Sequence, residues 1–312
     1  MESKTVRVGL IGLSLMVLLG NVGCSSWGKR QGFEPVVPSA PVDAPSSADL
    51  VRYLNRESKK LQAITCQDLD IDVKDKGILV PTVRGNMICQ KPRNFRLTGK
   101  AAGSPQIDFG SNDEQFWFWV KQGAPVLFHC NYSDFEKGVN MPFPFQPEWV
   151  VQALGMSEYS DPANYQVEVK GNQIELIENS TVQGKPVRKI TRFNSAIVAP
   201  PTPQITGYVM LDANGKTLCS ASVKEVRQMQ LPNGEWAIYP RKVQLEWPIE
   251  QMRLELTLDK VSLNQAIGQE QTTRLFTRPN WPNIENYDLA RGRTINPTAN
   301  RIQRTGGYAP QP

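Results

Sequence analysis

The sequence contains a single histidine, His129, and that scarcity excludes much chemistry at once. A lone imidazole without companions makes a poor metal site, and His129 on a strand reads as a structural residue. No CxxC pair, no GxSxG elbow and no glycine loop of the phosphate-cradling kind occurs. The one SxxK, Ser26 to Lys29, falls in a Pro/Ser-rich stretch that could not hold an oxyanion site. Asp70 and Asp72 share strand-face spacing in a polar segment, where water is their simplest partner. A hydrolase would need His129 beside a nucleophilic Ser or Cys in a cleft. No catalytic, metal or cofactor residue is therefore assigned, and the chain is not expected to be an enzyme. Helical patterns between the later strands are missing, which excludes parallel βαβ crossovers. The formal net charge of +5 over 312 residues is modest. Where the charges cluster matters more than their sum.

What is present is a meander. From residue 77 to 122 the chain alternates: Val83, Gly85, Met87 and Cys89 take one side of an extended segment, and Arg84, Asn86, Ile88 and Gln90 take the other. Lys91-Pro92 breaks the ladder, Phe95 and Leu97 resume it, Gly103-Ser104-Pro105 turns it, and Ile107 and Phe109 form a third run. The fourth, Phe116-Trp117-Phe118-Trp119, places bulky aromatics on both faces. Neither side of such a sheet can face water without exposing a large apolar patch, so something must cover each.

Two helical pieces are candidates. Residues 49–66 carry Leu50, Leu54, Leu61 and Ile64 at helical spacing among charged residues, with Ser46 or Ser47 as cap. Residues 141–156 form an apolar insert containing Met141, Phe143, Phe145, Trp149, Val150 and Leu154, with Pro147 suited to a first helical turn. Beyond residue 165 strands return, separated by turn signals at Gly171-Asn172, Gln183-Gly184, Asn214-Gly215 and Asn233-Gly234. The expected fold is α+β but mostly β: an incomplete, half-open antiparallel barrel of about 11 strands, with an N-terminal helix and a helical lid plugging its concave face.

The order of these motifs, a glycine-containing strand, Lys-Pro, Phe-Arg-Leu, Ile-Asp-Phe-Gly-Ser-Asn and Phe-Trp-Phe-Trp, resembles the LolA/LolB lipoprotein-carrier family. The resemblance implies a cavity for acyl chains of lipid or lipoprotein, a carrier or acceptor role without catalysis, and cavity residues Phe95, Leu97, Phe109, Phe116, Phe118, Phe128, Phe143, Phe145 and Trp149. Lys91 stands where the family's periplasmic carrier has an arginine that hydrogen-bonds the lid shut, and lysine lacks the planar fork of arginine. A structural envelope lipoprotein using the same fold as a scaffold for protein or cell-wall partners is the alternative.

The first 23 residues resemble an export signal: Lys4 and Arg7 precede an uncharged run from Val8 to Gly20, short for a membrane span. Gly23-Cys24 resembles the bacterial lipoprotein processing site, implying a lipid anchor on Cys24 and a place in the cell envelope, on the outer membrane facing the periplasm. Residues 24–48 are rich in Pro and Ser and read as a flexible tether. Residues 49–267 are the expected barrel domain, and 268–312 a basic, largely irregular tail. There Arg291, Arg293, Arg301 and Arg304 follow Asp288 with no acidic residue among them, which suits anionic lipid or a cell-wall polymer and gives no reason to expect nucleic acid. An oxidising compartment permits disulfides among Cys66, Cys89, Cys130 and Cys219; Cys66 with Cys89 would staple the helix to the first strands, and four buried thiols are the other outcome.

Overall fold

The structure, a computed structural model, describes residues 44–75, 78–79, 82–121, 126–141 and 146–294. The signal and tether expectations, Cys24 included, lie outside the described residues except for the last tether positions. Helix α1 (Ser47–Lys59) starts where Ser46 and Asp49 form a capping box, each side chain taking the other's backbone N–H. Its buried stripe is Leu50, Val51, Leu54 and Ser58.

The helix ends seven residues before the position expected for it. Leu61 and Ile64 continue its apolar spacing, but Ile64-Thr65 also opens a run of period 2, and strand partners on both sides decide the matter. Strand β1 (Ala63–Asp75) pairs antiparallel with β3 (Val83–Gln90) on one side and with β14 (Met252–Leu263) on the other. The short β2 (Ile78–Leu79) folds back on its end. From β3 the chain meanders through β4 (Asn94–Ala101), β5 (Ser104–Ser111), β6 (Gln115–Val120) and β7 (Val126–Asn131). A second meander comprises β8 (Tyr165–Lys170), β9 (Gln173–Val182), β10 (Lys185–Asn194), β11 (Ile205–Asp212), β12 (Thr217–Gln230), β13 (Trp236–Trp247) and β14. The β1–β14 pairing joins the two halves into one sheet, and β7 and β8 are not bonded to each other. The barrel is therefore half open. It has more strands than the eleven or so expected, because β1, β2 and the strands of the C-terminal segment add to the count.

Helices α2 (Tyr132–Phe135) and α3 (Pro147–Ala153) occupy the connection between the open edges, with Pro147 in the first turn of α3. Helix α3 touches both β5 and β12. These strands stand six places apart in the sheet, about 29 Å if it were flat. A helix about 10 Å across reaches both only because the sheet curls around it.

The segment after 267, expected as a basic, largely irregular tail, carries three short elements among its described residues. It forms α4 (Gln269–Leu275), then β15 (Glu285–Asp288), which pairs parallel with β7, and β16 (Arg293–Thr294). The barrel unit thus continues past its expected boundary, because the unpaired edge of β7 and the tryptophans beside it need a cover.

The Cys66–Cys89 disulfide is absent, and both thiols are free, as are Cys130 and Cys219. In the β1–β3 register Cys66 faces Met87 while Cys89 faces Ile64. The two cysteines are diagonal neighbours, about 7 Å apart, beyond what a disulfide spans without backbone movement. Burial pushes the Cys66 thiol up to about 11 and that of Cys89 up to about 12, so both stay protonated at neutral pH.

Candidate functional site: a plugged hollow and its latch

Strand register builds the concave wall in rungs. One rung runs Val261, Cys66, Met87, Leu97, Phe109, Phe118, Phe128 and Tyr287, each facing the next across adjacent strands. The next runs Leu263, Ile64, Cys89, Phe95, Ser111, Phe116 and Cys130. Cysteine here does the work of a small apolar residue in a packed rung. The Phe118 and Phe128 rings stack at 5.2 Å, and Phe116 meets Tyr132 at 5.6 Å and Phe135 at 5.4 Å, so α2 closes one end.

Into this hollow α3 projects Trp149, Val150, Ala153 and Leu154, followed by Met156, all in one cluster with Phe95, Leu97, Phe109, Phe116 and Phe118. Seven of the nine cavity residues expected from sequence thus come together. Phe143 and Phe145 lie outside the described residues.

Lys91 sits at the rim between three elements. Its Nζ donates to the Ser58 carbonyl at 3.0 Å and to Ser58 Oγ at 2.8 Å, and lies 3.7 Å from Glu158 Oε1. Ser58 Oγ in turn donates to the Met156 carbonyl at 3.0 Å. The resemblance placed Lys91 against the lid; the structure reaches the lid through Ser58. Burial lowers the Lys91 pKa and Glu158 opposes it. One turn earlier, Asn55 Nδ2 donates to the Tyr159 carbonyl at 2.9 Å and Oδ1 accepts from the Tyr159 N–H at 2.8 Å. Sequence reasoning missed these bonds. Ser58 could have been found, since it lies in step with Leu50 and Leu54 on the buried face of α1.

The convex face carries a second set. Trp117, Trp119 and Leu127 are covered by Trp281 and Ile284, and Trp119 meets Trp281 at 5.4 Å. Arg96 pairs with Asp108, lies over the Trp117 ring, and donates to the carbonyls of Leu275 and Thr277 at 3.2 Å. Asn112 Nδ2 donates to the Phe276 carbonyl at 3.0 Å. Three successive carbonyls at the end of α4 are thereby gripped. Of the tail arginines, Arg291 is exposed beside Asp288, Arg293 lies on β16, and Arg301 and Arg304 fall outside the described residues.

His129 belongs to this outer seam, facing Asp288 across β7 and β15. Its Nε2 is buried without a hydrogen-bond partner among the described residues. Burial first, then Arg278 and Arg291, lower its pKa to about 4, with Asp288 opposing them. The unfolded chain titrates near 6.5 and takes up the proton first as pH falls. Stability contributed by the neutral ring is therefore complete above about pH 6.5 and is lost as pH falls toward 4. Thermal melts across this range should show that decline in the wild type and a flatter profile in His129→Gln; identical profiles would refute it.

Two surface clefts differ in character. A polar one of about 500 Å³ is lined by Arg93, Asp113, Glu114, Asn131, Tyr132, Ser133 and Glu136. The other, about 720 Å³ and mixed in lining, lies where Asn179, Thr181, Val187, Arg188, Leu211 and Asp212 meet. Neither is lined by the aromatic rungs. Among the described residues no group of His, Cys, Asp and Glu could hold a metal ion.

No family model and no curated protein matches the sequence. Among solved structures, the chain is similar to a DUF1329 family protein from Desulfovibrio piger, at 12% identity and a TM-score of 0.46, over 73% of this chain and 97% of that one. It is similar to a domain described as an outer membrane lipoprotein-sorting protein from Vibrio parahaemolyticus, at 9% identity and a TM-score of 0.46, over 73% and 95% of the two chains. A LolA superfamily protein from Nitrosomonas europaea follows at 8% identity and 0.43, over 73% and 97%. At such identities and scores these likenesses say nothing about what this chain binds.

Proposed function

We propose that this chain is a non-catalytic envelope lipoprotein, anchored through Cys24 on the outer membrane facing the periplasm, that takes acyl chains of lipid or lipoprotein into its hollow as carrier or acceptor. The observation that carries the reading is the plug itself: a short helix fills the curved apolar wall, yet its trailing end is held at the rim by polar bonds. Apolar burial of a plug can be exchanged for equivalent burial of a ligand at roughly 25 cal/mol per Å². Directional bonds at one rim then set how often the plug leaves. Arg291, Arg293, Arg301 and Arg304 would lean on anionic head groups or cell-wall polymer as the hollow exchanges its contents.

Lys91→Met tests this. The variant loses the Glu158 contact and the charged bonds that fix Ser58, the bridge to Met156. Where bonds worth about 1.5–3 kcal/mol weaken that bridge, the withdrawn plug is favoured by up to about tenfold. A fluorescent fatty-acyl probe should bind the variant tighter than wild type, by up to about tenfold, while the melting temperature falls. Organic extracts of protein taken from its native envelope should contain lipid. The complete packing of the described wall favours one alternative, a structural scaffold whose hollow never opens. Absence of both extracted lipid and probe binding, in wild type and Lys91→Met alike, would select it.

A further inference from the structure

Among the described residues, large apolar side chains stand exposed at Val169, Ile197, Trp236, Ile238 and Ile249. Single exposed apolar residues are ordinary, but a cluster is not. Four of these five lie at one end of the barrel. Trp236 and Ile238 face Gln230 and Gln228 in the last rungs of the β12–β13 hairpin. The β10–β11 loop, which carries Ile197, reaches the same hairpin where the Val226 N–H donates to the Pro201 carbonyl at 3.0 Å. That loop also binds the β8–β9 turn, the Ser195 N–H donating to the Asn172 carbonyl at 3.1 Å. Val169 is one rung from that turn, facing Ile174. Ile249 sits at the opposite end, in the β13–β14 turn.

Strand β11 pairs with β12 only as far as Ser222, and β14 pairs with β13 only from Lys242 onward. The remaining rungs run on beyond β11 and part from β14, which itself continues to Leu263. Leu231, Ala237 and Tyr239 are buried in the barrel cluster, while Trp236 is 54% and Ile238 40% exposed. The fold uses one side of these rungs and leaves a tryptophan and an isoleucine on the other, although glutamines opposite them satisfy the same strand pairing. Lys224 and Arg227 are exposed on the same hairpin, Arg227 3.7 Å from Glu225, and the exposed Glu235 stands beside Trp236 at its tip.

We infer that this end of the barrel, the β12–β13 hairpin with the β10–β11 loop, rests on a lipid surface, with Trp236, Ile238 and Ile197 in the interfacial layer. Indole and branched aliphatic side chains flanked by cationic stems match the chemistry of that layer. The inference rests on the anchored reading above in one respect. The stretch of chain between Cys24 and Ala44, at about 3 Å per residue, is long enough to let any end of the domain settle on the bilayer that holds the anchor.

A chain beginning at Ser25 separates the two claims, since it cannot be acylated at Cys24. It should bind vesicles of equal parts phosphatidylglycerol and phosphatidylethanolamine, and brominated acyl chains should quench its fluorescence. Ile197→Ser, Trp236→Ser and Ile238→Ser together should weaken partitioning about tenfold or more without changing the melting temperature. Trp236→Phe alone should remove most of the quenching, and Ile249→Ser should change nothing. Equal partitioning of wild type and the triple variant would overturn the inference. So would a dimer by light scattering that the triple variant abolishes, which would assign the patch to a second copy. Loss of vesicle binding with Cys24 found acylated in the native envelope would sink this inference alone. An unmodified Cys24 with vesicle binding intact would sink only the anchor.

Discussion

A chain ending before Gly268 should associate more strongly with its own copies than the intact chain does. The deletion removes β15, so the outer edge of β7 presents a row of unpaired N–H and carbonyl groups, a template for pairing with another chain. It also removes Trp281 and Ile284 from Trp117, Trp119 and Leu127. Two of those three are at most 1% exposed in the intact chain, and uncovering even half of such side chains costs about 1 kcal/mol each. Arg96 and Asn112 lose the three carbonyls they grip. The expected result is association or precipitation at micromolar concentration, read by light scattering, with fast hydrogen exchange along β7. Trp281→Ala in the full chain should produce a milder form, lower in melting temperature but no more associated than wild type. A truncated chain that associates no more than the intact one and melts where it does would show that the C-terminal segment merely lies on the barrel.

The need for that cover was legible before its source was. Phe116, Trp117, Phe118 and Trp119 alternate across a strand, and period 2 alone sends two aromatics each way. Inside they meet the plug, and outside they meet residues 276–284. What sequence could not supply was the pairing of a four-residue strand, Glu-Asn-Tyr-Asp, in parallel with one more than 150 positions earlier, since so short a polar run has no periodicity to read. The same limit explains Cys66 and Cys89. Cys89 was placed on its strand, whereas Cys66 was read as the end of the helix and lies on β1. Even with both on neighbouring strands, a shift of one rung pair decides between a bridge and two packed thiols, and rung pairing is set by tertiary contacts. At the end of α1 two periods overlapped on Leu61 and Ile64, and pairing with β3 and β14 outweighed helical spacing. Lys91 was found through resemblance to other chains, and its partner Ser58 was missed although its spacing of four from Leu54 puts it on the buried face of α1. The hollow was the most legible feature, because its rungs are made of the alternation itself.

Substituting Gly110 by alanine should be among the most damaging single-methyl additions in the barrel. Gly110 on β5 faces Trp117 on β6, and a Cβ there would lie 2.3 Å from Cζ2 and 2.5 Å from Cε2 of the indole. A ring at a surface could swing aside, but this one is fully buried. Its Nε1 donates to Asp108 at 3.4 Å, and the Arg96 guanidinium lies 5.3 Å over its face. Moving the indole therefore disturbs the Arg96–Asp108 pair and, through Arg96, the docking of Leu275 and Thr277. Overpacking of a rigid site costs about 3 kcal/mol, and here the cost should be accompanied by new protease cleavage between residues 268 and 294. Gly103→Ala is the control: its Cβ meets open space and only the positive φ of 77° penalises it, about 1 kcal/mol with no change in cleavage. Combining Gly110→Ala with Trp117→Phe should recover part of the loss, because the smaller ring vacates the volume the methyl needs, so that the pair is less harmful than the sum of its members. Strict additivity, or a Gly110→Ala protein as stable and protease-resistant as wild type, would mean that the indole is not wedged between Gly110 and Arg96 and that the outer seam is held by β15 alone.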